Sequence, residues 1–434
     1  MRTLSILLFL ILSIAAKAQM RVTTTFPNNP SVIKEEYFIL DGDSTMIDGE
    51  YKQYSLDGAV VIKGQFQQGD KTGIFTNYYE NGQIQRETKY ENNLRQGPTK
   101  IYSAEGKLMQ EATFVNDTLV GELRLYNQEG ILVGSSNFKK GKPDGLVSEY
   151  YNDGKVKEEV LYANGKPNGY TRHYYESGNL KLEAEYADGL LDGSYKTFYP
   201  SGKLEMEALN KRGERSGFIK YYHENGQLRS VGKYERGELN GEYMAYHEDG
   251  SLHKDFTFTD GYRVGKNTEY YPNGKVSSVA QFSNRGLNAK INEYYENGNL
   301  KIEKELLNEL PHGTWTIYDE KEKVVAKKNY QNGKLHGITY LYEKGKLISE
   351  SNFGFGIQQG VTKTYHPNGN LRTLENWKLD KLHGDFVSYY KDGKTVEYEG
   401  KYARNKRHGT WKFYDKKGEL NEESEYIGGV IKVE

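Results

Sequence analysis

The sequence predicts an all-β fold: an elongated, twisted antiparallel sheet of about sixteen stacked 24-residue β-hairpins forming one solenoid-like, single-domain array. Three observations predict it. A glycine returns every 24 residues, at Gly49, Gly73, Gly97, Gly121, Gly145, Gly169, Gly193, Gly217, Gly241 and Gly265; Ala289 takes the next slot, Gly313 and Gly337 follow, and the spacing slips at Gly360, Gly384 and Gly409. A second glycine follows nine residues after most of these, as at Gly58, Gly82 and Gly106, with Glu322 breaking the column. Finally, only 36% of the 434 residues are hydrophobic, yet 38 are Tyr and 16 are Phe. Disordered chains are poor in aromatics, so this composition describes a thin fold whose half-buried layer is built from tyrosine, with its ring packed and its hydroxyl wet.

Residues 1–18 differ from the rest. Arg2 supplies a positive start, Leu4 to Ala16 is apolar, and Ala16-Lys17-Ala18 fits a small-x-small cleavage site before Gln19. This is the pattern of a Sec signal peptide; the apolar run is short for a membrane span of about 20 residues. The expected location is therefore outside the cytoplasm: periplasmic, secreted or outer-membrane-associated. The chain has no cysteine, which excludes a cysteine-linked lipid anchor and any disulfide. Residues 19–48 are not a clean repeat. Asn28-Asn29-Pro30 marks a turn, and Tyr37 to Leu40 followed by Asp41-Gly42 reads as half a hairpin, an N-terminal cap.

Residues 49–434 are the array. In the unit that starts at Gly73, Ile74 to Tyr79 reads as a strand. Glu80-Asn81-Gly82 reads as a hairpin turn, because Asn and Gly both tolerate positive φ. Gln83 to Tyr90 is the return strand, and Glu91 to Gln96 a polar connection to the next glycine. Val430 to Val433 reads as a final edge strand, with Lys432 and Glu434 as charges that discourage, without preventing, self-association through the sheet ends.

Five positions after the start glycine an aromatic stands in every unit: Tyr78, Tyr102, Tyr126, Tyr150, Tyr174, Phe198, Tyr222, Tyr246, Tyr270, Tyr294 and their later counterparts. A column filled the same way throughout packs against its neighbours, so these residues are assigned to a structural aromatic ladder. The next position varies. It is Tyr79, Tyr151, Tyr175, Tyr199, Tyr271, Tyr295 and Tyr390 in some units, and Ser, Asn, His, Asp or Glu in others. Adjacent strand residues point to opposite faces, which makes these seven tyrosines the candidate binding surface. On that reading Tyr174→Ala weakens packing more than Tyr175→Ala.

The search for chemistry finds no catalytic constellation. There is no thiol nucleophile, no phosphate-binding loop, no HExxH and no nucleophile elbow. The recurrent carboxylates Glu87, Glu111, Glu159, Glu183, Glu207 and Glu303 occur once per hairpin, as a solvated polar ladder would. His312, His336, His383 and His408 stand immediately before start glycines; they read as polar turn residues or as a pH-sensitive rim, and residues one repeat apart do not readily converge on a metal. No cofactor is expected. The net charge of -1 offers no attraction to nucleic acid.

The consensus GxFxxYYxNGxLxxExxYxxGxxxG, as in Tyr150-Tyr151-Asn152-Asp153-Gly154-Lys155-Val156 and Tyr294-Tyr295-Glu296-Asn297-Gly298-Asn299-Leu300, resembles the MORN repeat in its bacterial variant. That variant is found in MORN-type and YwqK-like toxin–antitoxin system antitoxins. The resemblance covers Gly49 to the C-terminus. It implies stacked antiparallel hairpins and roles in scaffolding, self-association and contacts with membrane lipids. YD-type repeats share Tyr-Asp-x-x-Gly-x-Leu, seen once at Tyr414 to Leu420, while choline-binding repeats build cages from tryptophan, of which this chain has three. The sequence thus points to a non-enzymatic, exported scaffold or adaptor for a protein partner. The alternatives are an envelope glycan, polymer or lipid binder that uses the surface tyrosines, and an antitoxin-like protein that neutralises a partner.

Overall fold

The computed structural model describes residues 18–432. The signal peptide expected over residues 1–18 therefore lies, except for Ala18, outside the described residues, as does Val433 of the expected final strand. Among the described residues there are 38 strands and no helix. The described residues divide into two compact units, 18–204 with Asn210–Gly213, and Glu205–Leu209 with 214–432. Within each, consecutive strands pair antiparallel, as in Asp70–Tyr78 with Ile84–Glu91, and Lys406–Tyr414 with Leu420–Ile427.

The N-terminal segment forms a whole hairpin, not half of one. Strands Gln19–Phe26 and Asn29–Leu40 pair from Gln19↔Leu40 to Phe26↔Asn29. The turn falls on Pro27-Asn28, one residue before the expected site, and Pro30 sits inside the second strand.

The repeat differs from its sequence reading in where the turns lie. Strand Asp70–Tyr78 contains Gly73 instead of starting after it. The expected six-residue connection shrinks to Asn92-Asn93, both in the left-handed region (φ 50° and 64°), a two-residue turn between Ile84–Glu91 and Leu94–Tyr102. Asparagine tolerates this conformation, and its twist matches that of the strands it joins. At the other turn only Gly82 has positive φ, at 81°. Its amide donates to the Tyr79 carbonyl (2.9 Å), and the Tyr79 amide donates to the Gln83 carbonyl (2.8 Å). Asn81 does not adopt the positive φ expected of it; its Oδ1 accepts the Gln83 amide at 3.0 Å.

The strict glycine is a bulge residue. Gly73 pairs in register with Tyr90 on one side. On the other, Lys63 faces Thr76 and Gln65 faces Thr72, so Gly64 alone opposes three residues. Such a bulge bends the strand and needs a backbone with positive φ, here 69°. Ala289 shows what happens without glycine. The ladder from Ser278↔Glu293 to Ser283↔Asn288 runs with no register shift, and the surplus residues move into the longer turn Asn284 to Leu287.

Strand alternation sorts side chains onto two faces. One face carries Phe75 and Tyr90 and is the more buried. In the first unit Tyr37, Tyr51, Phe66, Phe75 and Tyr90 run in ring contact, with successive centroids 6.3, 5.5, 5.4 and 5.3 Å apart. In the second unit Trp411 is fully buried with Phe386 and Tyr426, beneath the Arg407 guanidinium, which lies 4.3 Å from its ring centroid. Large rings lie over small partners: a Cβ at Gly64 would come within 2.3 Å of the Phe75 ring, and one at Gly400 within 2.3 Å of Trp411.

Gly400 has an ordinary φ, so any penalty on substituting it is steric. Gly400→Ala is expected to cost about 1–3 kcal/mol, the usual penalty of overpacking, and to shift Trp411 emission. Urea unfolding followed by tryptophan fluorescence checks it; an unchanged midpoint and emission would remove the size-matching account.

Candidate functional site

Both tyrosine columns lie at the end of the hairpin where Gly82 turns, and the structure uses both to join one hairpin to another. The fixed column reaches backwards. Tyr102 Oη donates to Glu87 Oε2 (2.9 Å), Tyr174 to Glu159 (3.1 Å), Tyr222 to Glu207 (2.8 Å), Tyr318 to Glu303 (2.7 Å), Tyr365 to Glu350 (2.8 Å) and Tyr414 to Glu399 (2.8 Å). Tyr150 instead meets Ser135 Oγ at 3.4 Å, and Tyr246 donates to Met244 Sδ at 3.4 Å. Tyr78, Tyr126, Phe198, Tyr270 and Tyr294 are half-buried in the same column. The ladder assignment therefore takes a specific form, in which phenol–carboxylate bonds link successive hairpins. The recurrent glutamates are correspondingly more than solvated charges. Besides the phenols, Glu207 holds Lys220 at 2.8 Å and Glu183 holds Arg172 at 2.7 Å.

Burial, followed by the neighbouring carboxylate, pushes the Tyr102, Tyr318 and Tyr365 phenols up to about 12. A phenol whose folded value lies above its ordinary one near 10 stabilises the fold fully below pH 10 and loses that contribution as pH rises through about 12.

The variable column reaches forwards. Tyr79 Oη donates to the Tyr102 carbonyl (2.8 Å), Tyr151 to Tyr174 (2.7 Å), Tyr175 to Phe198 (2.8 Å), Tyr271 to Tyr294 (2.7 Å), Tyr295 to Tyr318 (2.9 Å) and Tyr390 to Tyr414 (2.8 Å). Tyr199 is half-buried like the others. These seven residues follow the last strand residue and open the turn, so strand alternation does not govern where they point. The other residue types in the column are alternative solutions. His223, His247 and His366 place Nε2 at 3.2, 3.3 and 3.0 Å from the same carbonyl of the next hairpin. Asn127, Asp319 and Asp415 are too short to reach it and accept amides of their own turn at 2.9–3.0 Å. Stacking platforms on these rings are partly covered already: Lys181 lies 5.6 Å from the Tyr175 centroid and Lys301 5.6 Å from that of Tyr295.

Of the histidines before start glycines, His336 packs its ring against Phe355 at 4.7 Å, which is a packing contact. His253 stacks on His247 at 4.3 Å, and burial together with that neighbour lowers its pKa.

The exposed column that the sequence reading passed over stands one residue after the start glycine. Ile74 is 59% exposed in the first unit; Phe218 (56%), Val361 (49%) and Ile338 (40%) are exposed in the second. They pair directly with Lys89, Lys233, Asn376 and Asn352 on the face that carries the phenol–carboxylate bonds. Other units hold Glu50, Pro98, Glu122, Tyr170 or Lys266 there. The available signal was a column that varies in class while its strict neighbours do not.

Two outcomes are expected from this geometry. In urea unfolding Tyr174→Phe should cost about 1.5–3 kcal/mol, as for a bond to a charged group, and Tyr175→Phe about 0.5–1.5 kcal/mol, since each deletes one bond between hairpins. An unchanged midpoint for Tyr175→Phe would restore the reading in which only the fixed column is structural. Unfolding midpoints measured from pH 10 to about 12 should fall, with phenolate absorbance rising in step; a flat profile over that window would contradict the phenol–carboxylate account.

A family model for the "MORN repeat variant" matches residues 71–92, 95–116, 143–164, 167–188, 191–209, 219–236, 263–284, 288–308, 311–332, 358–379 and 407–427, together more than half of the chain. No curated protein matches it. Similar solved structures include TcdB2-TccC3 (12% identity, 93% of this chain and 26% of that chain, TM-score 0.14). TcdB2-TccC3-Cdc42 is another (11%, 93% and 27%, TM-score 0.13), as is a Photorhabdus luminescens Tc holotoxin pore (12%, 94% and 25%, TM-score 0.13). The chain spans about a quarter of the length of these.

Proposed function

Because the chain belongs to the MORN repeat variant family, whose repeats are generally protein- or lipid-interaction modules, we propose that it is an exported, non-enzymatic scaffold that binds a protein partner through its sheet surface. The exposed column after the start glycine carries this reading. It holds large apolar side chains in the open at Phe218, Ile338 and Val361 of the second unit, on strands whose repeated positions are spent on folding. An exposed apolar side chain directly opposite a Lys or Asn on the next strand suits an interface anchor beside a polar rim. The apolar leader Leu4 to Ala16 and the small residues before Gln19 support export. The near-zero net charge supports a protein partner over a nucleic acid.

Residues 19–434 should retain a stoichiometric protein from the native envelope fraction. The triple variant Phe218→Ser, Ile338→Ser, Val361→Ser should lose it while unfolding like the parent, because exposed positions contribute little to stability. Retention of the partner by a folded triple variant would move the interface elsewhere. Recovery of unprocessed chain from the cytoplasm would end the export reading.

A further inference from the structure

Successive hairpins before the last one of the second unit hold a row of five hydroxyls. Ser349, Thr364, Thr373, Ser388 and Tyr398 stand directly opposite one another across successive strands: Ser349↔Thr364, Thr364↔Thr373, Thr373↔Ser388 and Ser388↔Tyr398. The row ends on apolar residues, Leu341 beside Ser349 and Phe413 beside Tyr398. The equivalent rung in earlier hairpins mixes residues such as Gln53, Ile62, Asn77 and Arg86. Five hydroxyls in register are not required by the fold.

They line a cavity of about 860 Å³, within the size range of small-molecule sites. Two carboxylates stand among them. Glu375 accepts Thr373 Oγ1 at 2.9 Å and Trp377 Nε1 at 3.0 Å, and Glu397 accepts Ser388 Oγ at 3.0 Å. The Phe386 and Tyr398 rings are stacked at 5.8 Å, inclined by 9°. The wall is charge-balanced, with Glu343, Glu375 and Glu397 against Lys344, Lys346 and Arg372.

We propose that this groove binds a neutral oligosaccharide. Its wall offers what a sugar requires: hydroxyl and carboxylate oxygens that accept hydrogen bonds, and Lys344, Lys346 and Arg372 to donate them; the Phe386 and Tyr398 rings are packed on each other and back the groove from the core side. The balanced charge favours neither a polyanion nor a polycation, and the polar lining does not suit a lipid chain. Successive rungs are about 4.8 Å apart, comparable to one sugar in an extended chain; Ser349, Thr364 and Tyr398 are half-buried and can meet such units, while Thr373 and Ser388 are buried and orient Glu375 and Glu397. This site uses none of the seven candidate tyrosines and does not depend on the scaffold reading.

The test is calorimetry of residues 19–434 with maltohexaose, cellohexaose and chitohexaose, with polygalacturonate as the charged comparison, and with the tryptophan emission, compared between the parent and Trp377→Phe, as a second readout. At least one neutral oligosaccharide should bind and shift that emission, because Trp377 shares Glu375 with the groove. Glu397→Gln and Arg372→Ala should each weaken binding about tenfold or more, the loss expected for a hydrogen bond to a charged group, with unfolding unchanged. Arg372 is exposed, so its variant decides the matter if Glu397→Gln does not fold. Absence of binding to all three sugars, binding to polygalacturonate alone, or equal affinity in a folded Arg372→Ala protein would each overturn the proposal.

Discussion

The bond that the rest of this structure depends on runs from the turn of one hairpin to the backbone of the next. A hairpin of this size cannot bury a core alone, and each unit here is stable only as part of a row. The tyrosine that opens a turn, such as Tyr79, donates to the carbonyl of the fixed tyrosine in the following hairpin. That fixed tyrosine donates in turn to a carboxylate of the hairpin before it. Every interior junction so made is tied in both directions by groups that sit at the same end of the sheet. The long period follows, because the two columns meet only when each hairpin contributes the same number of rungs.

Deviations from the period show which distances matter. Tyr390 reaches Tyr414, one residue further than the usual separation, because the extra residue lies in the turn between them and leaves the ladder in register. Ala289 removes a bulge, and a longer turn absorbs the residues that the bulge would have held. In both cases the rung count is conserved and the loop is not. Backbone pairing sets the spacing, and turns adjust to it, as loop-closure costs that rise slowly with length allow.

Much of this was legible in the sequence and some was not. The hairpin array, the fixed aromatic column and the turn at Gly82 follow from period, β-propensity and turn chemistry. The location of Gly73 inside a strand did not follow, because a glycine that bounds a turn and one that occupies a bulge leave the same mark in one sequence. The variable column was misread for a related reason. Tyr, His and Asn look unalike as side chains, yet Tyr79 and His223 satisfy the carbonyl of the next hairpin while Asn127 satisfies its own turn. Variation there reflects interchangeable ways of meeting backbone hydrogen-bond demands. The hydroxyl row was invisible because its members are far apart in the chain and become neighbours only through cross-strand register.

The division of labour between repeated and unrepeated positions bears on function. Glycine, both tyrosine columns and the glutamates are consumed in joining hairpins, so what distinguishes one hairpin from another resides in the remaining positions. In the second unit two such sets coincide. Val361 lies on one face of the strand Gly360–Tyr365, and Thr364, of opposite parity in the same strand, lies on the other. A partner seated on the apolar column would leave the hydroxyl groove on the far face open, and a ligand in that groove would not cover the column. The buried rings of the far face, Phe386 and Trp411 among them, do the packing that a second layer would otherwise supply. Staples between hairpins add to that packing at the turn end of each hairpin and leave the apolar column and the hydroxyl groove for recognition.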